Sequence, residues 1–168
     1  MKPEIHRIPK ISIIPSAAHD LRVRHLKHYT TLEKTPEHGD VIYGQIQRIG
    51  HHQKIESRTG RIHHVYSGDK NIFVLGNRYA PDYYEALLPE KHTKYLDLVS
   101  RSGVVSKMIN KNNKVKDPTR INILGYVCDS KGKIINTTDY PEVIPKLTDK
   151  KPRRGKSQIA TTGRSSQF

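Results

Sequence analysis

Short apolar runs, each closed off by glycine or another turn former, constrain this chain more than any other feature. Runs of that length cannot build long helices, but they can supply many short strands. DVIYGQIQRIG (40–50) alternates, with Ile42 and Ile46 on one face and Tyr43, Gln45 and Gln47 on the other. That is the pattern of a half-buried strand. QKIES (53–57) and RIHHVY (61–66) flank the turn Arg58-Thr59-Gly60, where glycine suits a positive φ. A strict turn register sets His63 opposite Glu56. NIFVL (71–75) is a continuous apolar run, so it reads as the most buried strand, with Ile72, Val74 and Leu75 in the core. EALLP (85–89) adds another candidate strand. Strands at this spacing predict a small, partly open barrel over residues 40–88.

Beyond it, Tyr95, Leu98, Val99, Ser102, Val105, Met108 and Ile109 fall at helical spacing, with Gly103 dividing the segment. TRINILGYVCDSKGKIIN (119–136) reads as a closing hairpin across Asp129-Ser130-Lys131-Gly132. At the other end Pro3, Pro9 and Pro15 space out isoleucines and predict an extended arm. The His-, Arg- and Lys-dense stretch 16–33 fits either a short helix or a strand. From residue 141 no apolar period persists, and the composition predicts a disordered basic tail, most clearly over 146–168. The expected fold is therefore α+β and β-rich: a small partly open β-barrel, a helical segment, a C-terminal hairpin and a basic tail. The expected divisions are an arm and basic segment (1–38), the core domain (39–140) and the tail (141–168).

Charge indicates what such a domain would meet. Lys and Arg number 30 against 16 Asp and Glu, a formal net charge of +14. The N-terminal isoleucine run is too short and too interrupted by proline for a signal peptide or a membrane span. No membrane contact is expected, and the expected compartment is intracellular and cytoplasmic. A polyanionic partner is then the first hypothesis. Four basic clusters stand out: Arg22, Arg24 and Lys27, beside His25 and His28; Arg48, Lys54, Arg58 and Arg61; Lys107, Lys111, Lys114 and Lys116; and Lys150, Lys151, Arg153, Arg154 and Lys156. Each phosphate such a group neutralises releases condensed counterions, giving affinity that is independent of sequence. Tyr43, on the polar face of its strand, offers a ring for base stacking, and Arg78-Tyr79 and Tyr83-Tyr84 could do the same from a loop.

Catalytic and metal chemistry find less support. Cys128 is the single cysteine, which excludes an internal disulfide and a cysteine-only metal site. His51-His52 and His63-His64 are adjacent pairs, and neighbours on a strand point to opposite faces, so each pair offers one ligand at most. With no H-E-x-x-H, no zinc site is expected, and no cofactor. His63 with Glu56 is the one conceivable acid–base pair, a pairing that is usually structural. Gly155-Lys156-Ser157 ends like a phosphate loop, but Lys150 stands where the first glycine is required and Pro152 interrupts it.

GDVIYGQIQRIG (39–50) resembles the opening strand of S1/OB-type RNA-binding barrels. VLGNRYAPDYYEALLP (74–89), preceded by GDVIYG, is similar to the N-terminal domain of uncharacterised bacterial proteins whose next domain is a P-loop NTPase of the dethiobiotin-synthetase-like kind. The resemblance spans roughly residues 21–140. It would account for ATTGRSSQF (160–168) looking like a phosphate loop cut before its Gly-Lys-Thr, where the residues alone read more simply as an ordinary Ser-, Thr- and Gly-rich terminus, and it transfers no catalytic residue. The expected function is non-catalytic nucleic-acid binding through the phosphate backbone, within a larger assembly. The alternative is a regulatory or adaptor domain that binds a protein partner, an NTPase among the candidates.

Overall fold

In the computed structural model, residues 4–11 and 13–140 are described; the expected tail, with Lys150, Lys151, Arg153, Arg154 and Lys156, lies outside them. The alternating runs become strands. In chain order they are β1 (Ile5–Arg7), β2 (His28–Thr30), β3 (Val41–Arg48), β4 (Lys54–Glu56), β5 (Ile62–His64), β6 (Lys70–Leu75), β7 (Arg78–Tyr79), β8 (Tyr84–Leu87), β9 (Tyr95–Leu98), β10 (Val104–Lys111) and β11 (Thr119–Cys128). Helix among the described residues is confined to the three-residue 3-10 turns Ser16–Ala18, Val23–His25 and Thr137–Asp139. The protein is mostly β.

Nine strands form one mixed sheet in the order β1-β2-β11-β3-β6-β10-β8-β7, with β9 joined to both β10 and β11. β4 and β5 form a separate ribbon. β6 runs parallel to β10, while the other pairings are antiparallel. The pairings β11–β3–β6–β10–β9 therefore lead back to β11. One apolar cluster draws on every strand of that circuit: Ile42 and Ile46 from β3, Phe73 and Leu75 from β6, Leu96 and Leu98 from β9, Val105 from β10, and Ile121 from β11.

A second cluster lies on the opposite face. Ile72 and Val74 of β6 point into it, which is why NIFVL shows no polar alternation: both faces of that strand are covered. Val41, Tyr43 and Val127 join them, and the cover is the N-terminal segment, through Ile8, Ile14, Ala18, Leu21 and Leu26. The stretch expected to be an arm outside the core is thus part of it. Arg58 fastens the two together, its Nη1 donating to the Leu21 carbonyl at 2.6 Å.

Three expectations are corrected here. The helical segment is instead a β-hairpin: β9 pairs antiparallel with β10, Leu98 opposite Val105. Leu96 and Leu98 are buried while Tyr95 is exposed, a period of two that the i, i+3 matches obscured. Ser100-Arg101-Ser102-Gly103 makes the turn, with Gly103 at φ +95° and a would-be Cβ 2.6 Å from Pro15 Cβ. The register of the β4–β5 ribbon is also displaced by one residue. Its loop runs from Ser57 to Arg61, so His63 faces Ile55 and Glu56 faces Ile62. Tyr43 is the third: it is buried at 4% exposure beneath the N-terminal segment, not displayed on a polar face. The C-terminal turn is found where it was expected. The Asp129 N–H donates to the Lys133 carbonyl, Gly132 takes φ +91°, and Ile134 bridges back to Cys128.

Candidate functional site

Three loops line one cavity, and hydrogen bonds fix each of them. The first carries His51 and His52 out of β3. Gly50 donates to Thr119 Oγ1 at 2.8 Å, Thr119 Oγ1 donates to the His52 carbonyl at 2.6 Å, and His51 donates to the Asp117 carbonyl at 2.8 Å. Gly50 is required there, since a Cβ would fall 2.2 Å from the Asp117 oxygen. The second loop is the Ser100–Gly103 turn, where the two serine hydroxyls lie 2.8 Å apart and the Ala17 N–H donates to the Ser102 carbonyl. The third is the segment from β7 to β8. Its ends are pinned by Ala80 donating to the Tyr84 carbonyl and by Asn77 Oδ1 accepting from Leu88 N–H.

Between them lies a cavity of about 430 Å3, lined by His51, His52, Glu56, Arg78, Tyr83, Ser100, Arg101 and Ser102. Two side-chain nitrogens on its residues, Arg78 Nε and His52 Nε2, are buried without a hydrogen-bond partner. Burial foremost, with His51, Arg78 and Arg101 adding to it, pushes the His52 imidazole down to about 4, against an opposing hydrogen bond to the Val99 backbone. His52 is therefore neutral at physiological pH. Glu56 is the one carboxylate on the wall, and it accepts a long hydrogen bond from Ser16 Oγ at 3.4 Å.

A second hollow, about 510 Å3, adjoins the first and shares Tyr83 with it. Its walls include Asn110, Lys111, Asn112, Asn113 and Lys114 from the end of β10 and the following turn. The Tyr83 ring is 44% exposed and stands 5.7 Å from the His51 ring. Tyr84, next in sequence, packs its ring against the same loop, 6.1 Å from the His51 ring and 5.9 Å from that of His52. It is fully buried, its hydroxyl donating to the Lys116 carbonyl at 2.6 Å, and burial pushes that hydroxyl up to about 12.

The structure brings together a minority of the residues the sequence nominated. Arg78, Lys111 and Lys114 line the two hollows. Lys111 is partly engaged, its Nζ donating to the Val115 carbonyl at 2.9 Å and lying 3.8 Å from Asp117. Arg22, Arg24 and Lys27 are exposed around the 3-10 turn Val23–His25, and Lys27 borders a separate groove with Arg7 and Lys10. Arg48 sits opposite Arg120, and both favour the charged form of the half-buried Asp97, whose carboxyl burial nonetheless pushes up. Lys54 and Arg61 are exposed on the β4–β5 ribbon, while Arg58 is spent on Leu21. Lys107 is exposed on β10 opposite Leu87. Tyr43 is removed from any surface.

Sequence reasoning missed Arg101, Ser100 and Ser102, because the segment containing them was read as helix. It also weighed His51 and His52 only as metal ligands. The available signal was Ser-Arg-Ser-Gly, a turn sequence with a cation at its tip. Among the described residues no group of three or more His, Cys, Asp or Glu side chains could hold a metal ion. No helix of the described residues is long and apolar enough to cross a membrane. No family model, no curated protein and no solved structure matches this chain.

Proposed function

We propose that this protein binds single-stranded nucleic acid without catalysis, as part of a larger assembly, and that the two hollows joined at Tyr83 are the contact. The observation that carries this reading is the alternation along the groove: Arg78 and Arg101, then an exposed tyrosine ring, then Lys111 and Lys114 among asparagines. Cations at that alternation suit successive phosphates, a ring between them suits a base, and asparagine amides can bond to base edges. The net charge of +14 favours the same class of partner. The circuit β11–β3–β6–β10–β9 takes in strands well beyond the residues 40–88 expected to form the barrel and leaves out β4, β5 and β8; with those altered bounds it supports the finer reading of the fold as a small barrel of the OB kind, an architecture that hosts oligonucleotides.

Fluorescence anisotropy with a labelled single-stranded oligonucleotide, across a salt series, tests this. Affinity should fall with salt at roughly 0.7 log units per log unit for each phosphate neutralised. Tyr83→Ala should weaken binding by about 1–3 kcal/mol at an unchanged melting temperature, and Tyr83→Phe should retain most of it. Affinity indifferent to salt and to Tyr83→Ala would end the proposal.

One observation favours the second reading, an adaptor domain that binds a protein. Tyr79, Leu87 and Ile109 are exposed at 74%, 50% and 55% on the neighbouring strands β7, β8 and β10. Apolar groups gathered on adjacent strands suit a protein partner, and binding there would tolerate salt.

A further inference from the structure

We propose that the cavity between the His51-His52 loop and the Ser100–Gly103 turn holds the terminal phosphate of a nucleic-acid strand, with the adjoining base on Tyr83. The proposal rests on the nucleic-acid reading above and specifies which part of the ligand enters this cavity.

Donor number and origin are the first argument. Arg78 comes from β7, Arg101 and the Ser100–Ser102 hydroxyl pair from the β9–β10 turn, and the His51 imidazole from the loop after β3. An internal phosphodiester offers two free oxygens and one charge. A terminal monoester offers three oxygens and close to two charges, so it makes fuller use of donors converging from three elements. The second argument is unmet demand. Arg78 Nε is buried on a residue of this cavity with no partner, and an incoming phosphate supplies an acceptor where burial without one is costly. The third is rigidity. Gly50, Thr119 and the Ala17–Ser102 hydrogen bond hold the two flanking loops in place, so little ordering is needed on binding. The titratable and charged groups facing His52 are His51 on its own loop, Arg78, Arg101 and the Tyr84 ring at 5.9 Å, with Glu56 on the same cavity wall. Glu56 opposes an anion, which gives the proposal a second sign to test.

The test compares three fluorescently labelled oligonucleotides of one sequence on the full chain: 5′-phosphorylated, 3′-phosphorylated, and hydroxyl at both ends. Inorganic phosphate serves as competitor. One phosphorylated end should bind about tenfold or more tightly than the hydroxyl strand, since several charge-assisted hydrogen bonds are gained. Arg101→Gln, at an exposed position that should not disturb folding, should bring that ratio close to one. Glu56→Gln should raise the ratio by removing the repulsion. Millimolar inorganic phosphate should compete with the phosphorylated strand more than with the hydroxyl strand. If all three strands bind with equal affinity, the terminal-phosphate proposal falls and the nucleic-acid reading stands. If none binds, both fall.

Discussion

The rings of Tyr43 and Tyr29 pack with centroids 4.9 Å apart, and Tyr29 stacks in turn on His6 at 5.2 Å. That chain of contacts joins β3 in the middle of the sheet to β2 and β1 at its edge. It turns a residue on the nominally polar face of its strand into core. Burial, with Tyr29 adding to it, raises the Tyr43 hydroxyl above its ordinary range. Tyr43→Ala should therefore cost about 3 kcal/mol or more, as large-to-small aromatic substitutions in a core do. Thermal melting should show the loss, while the affinity of the remaining folded protein for single-stranded nucleic acid stays unchanged. Reduced affinity at an unaltered melting temperature would return Tyr43 to the binding surface.

Arg58 makes the reverse point, since a residue nominated for phosphate contact serves the fold. Its guanidinium donates to the carbonyl of Leu21, which is itself fully buried. Arg58→Gln should lower stability by about 1 kcal/mol, given the partial exposure of the pair, and leave the salt dependence of binding unchanged. A flatter salt dependence at full stability would mean that Arg58 contacts phosphate after all.

His52 makes stability depend on pH. Its folded-state pKa lies near 4 against an unfolded value near 6.5, so between those limits the unfolded chain binds a proton that the folded protein does not. Stability from this group is complete above about pH 6.5 and declines as pH falls toward 4. His52→Gln should flatten that part of the pH–stability curve relative to the parent chain. An identical acid slope in both proteins would show that His52 does not contribute.

Local signals made the strand content legible. The β3 and β6 runs, the glycine at position 60 and the Asp129–Gly132 turn are all where their residue types put them. Three things were less legible, each for a physical reason. Tyr95, Leu98 and Val99 satisfy spacings of three and four while Leu96 and Leu98 satisfy a spacing of two, and the Gly103 turn decides between them. The β4–β5 register depended on a loop from Ser57 to Arg61 that leaves one residue more than a tight turn would. The covering of Tyr43 depended on segment 8–26, whose prolines suggested an arm although its Ile8, Ile14, Leu21 and Leu26 are spaced to cover a sheet. The candidate site was visible only in part, since Arg78 and Tyr83 lie far in sequence from Arg101 and His51, and neither partner segment carried a recognisable motif.

The N-terminal segment supplies the final prediction. If residues 1–38 were dispensable, a fragment of residues 39–140 would fold alone. The structure instead places Ile8, Ile14, Ala18, Leu21 and Leu26 against Val41, Tyr43, Ile72, Val74 and Val127, all of them buried. Deleting the segment would uncover that apolar face and remove β1 and β2, of which β2 pairs with both β1 and β11. The edge that β2 leaves open would be Tyr126–Cys128 of β11, since Thr119–Asn122 stay paired with β9, and beside the uncovered apolar face it invites association. The fragment should therefore aggregate, or bind a hydrophobic dye without a cooperative thermal transition. Adding Arg58→Gln to it should cause no further loss, because the Leu21 carbonyl is already gone. A soluble, monomeric 39–140 fragment melting cooperatively near the midpoint of the full chain would show that the second apolar cluster contributes little to the fold.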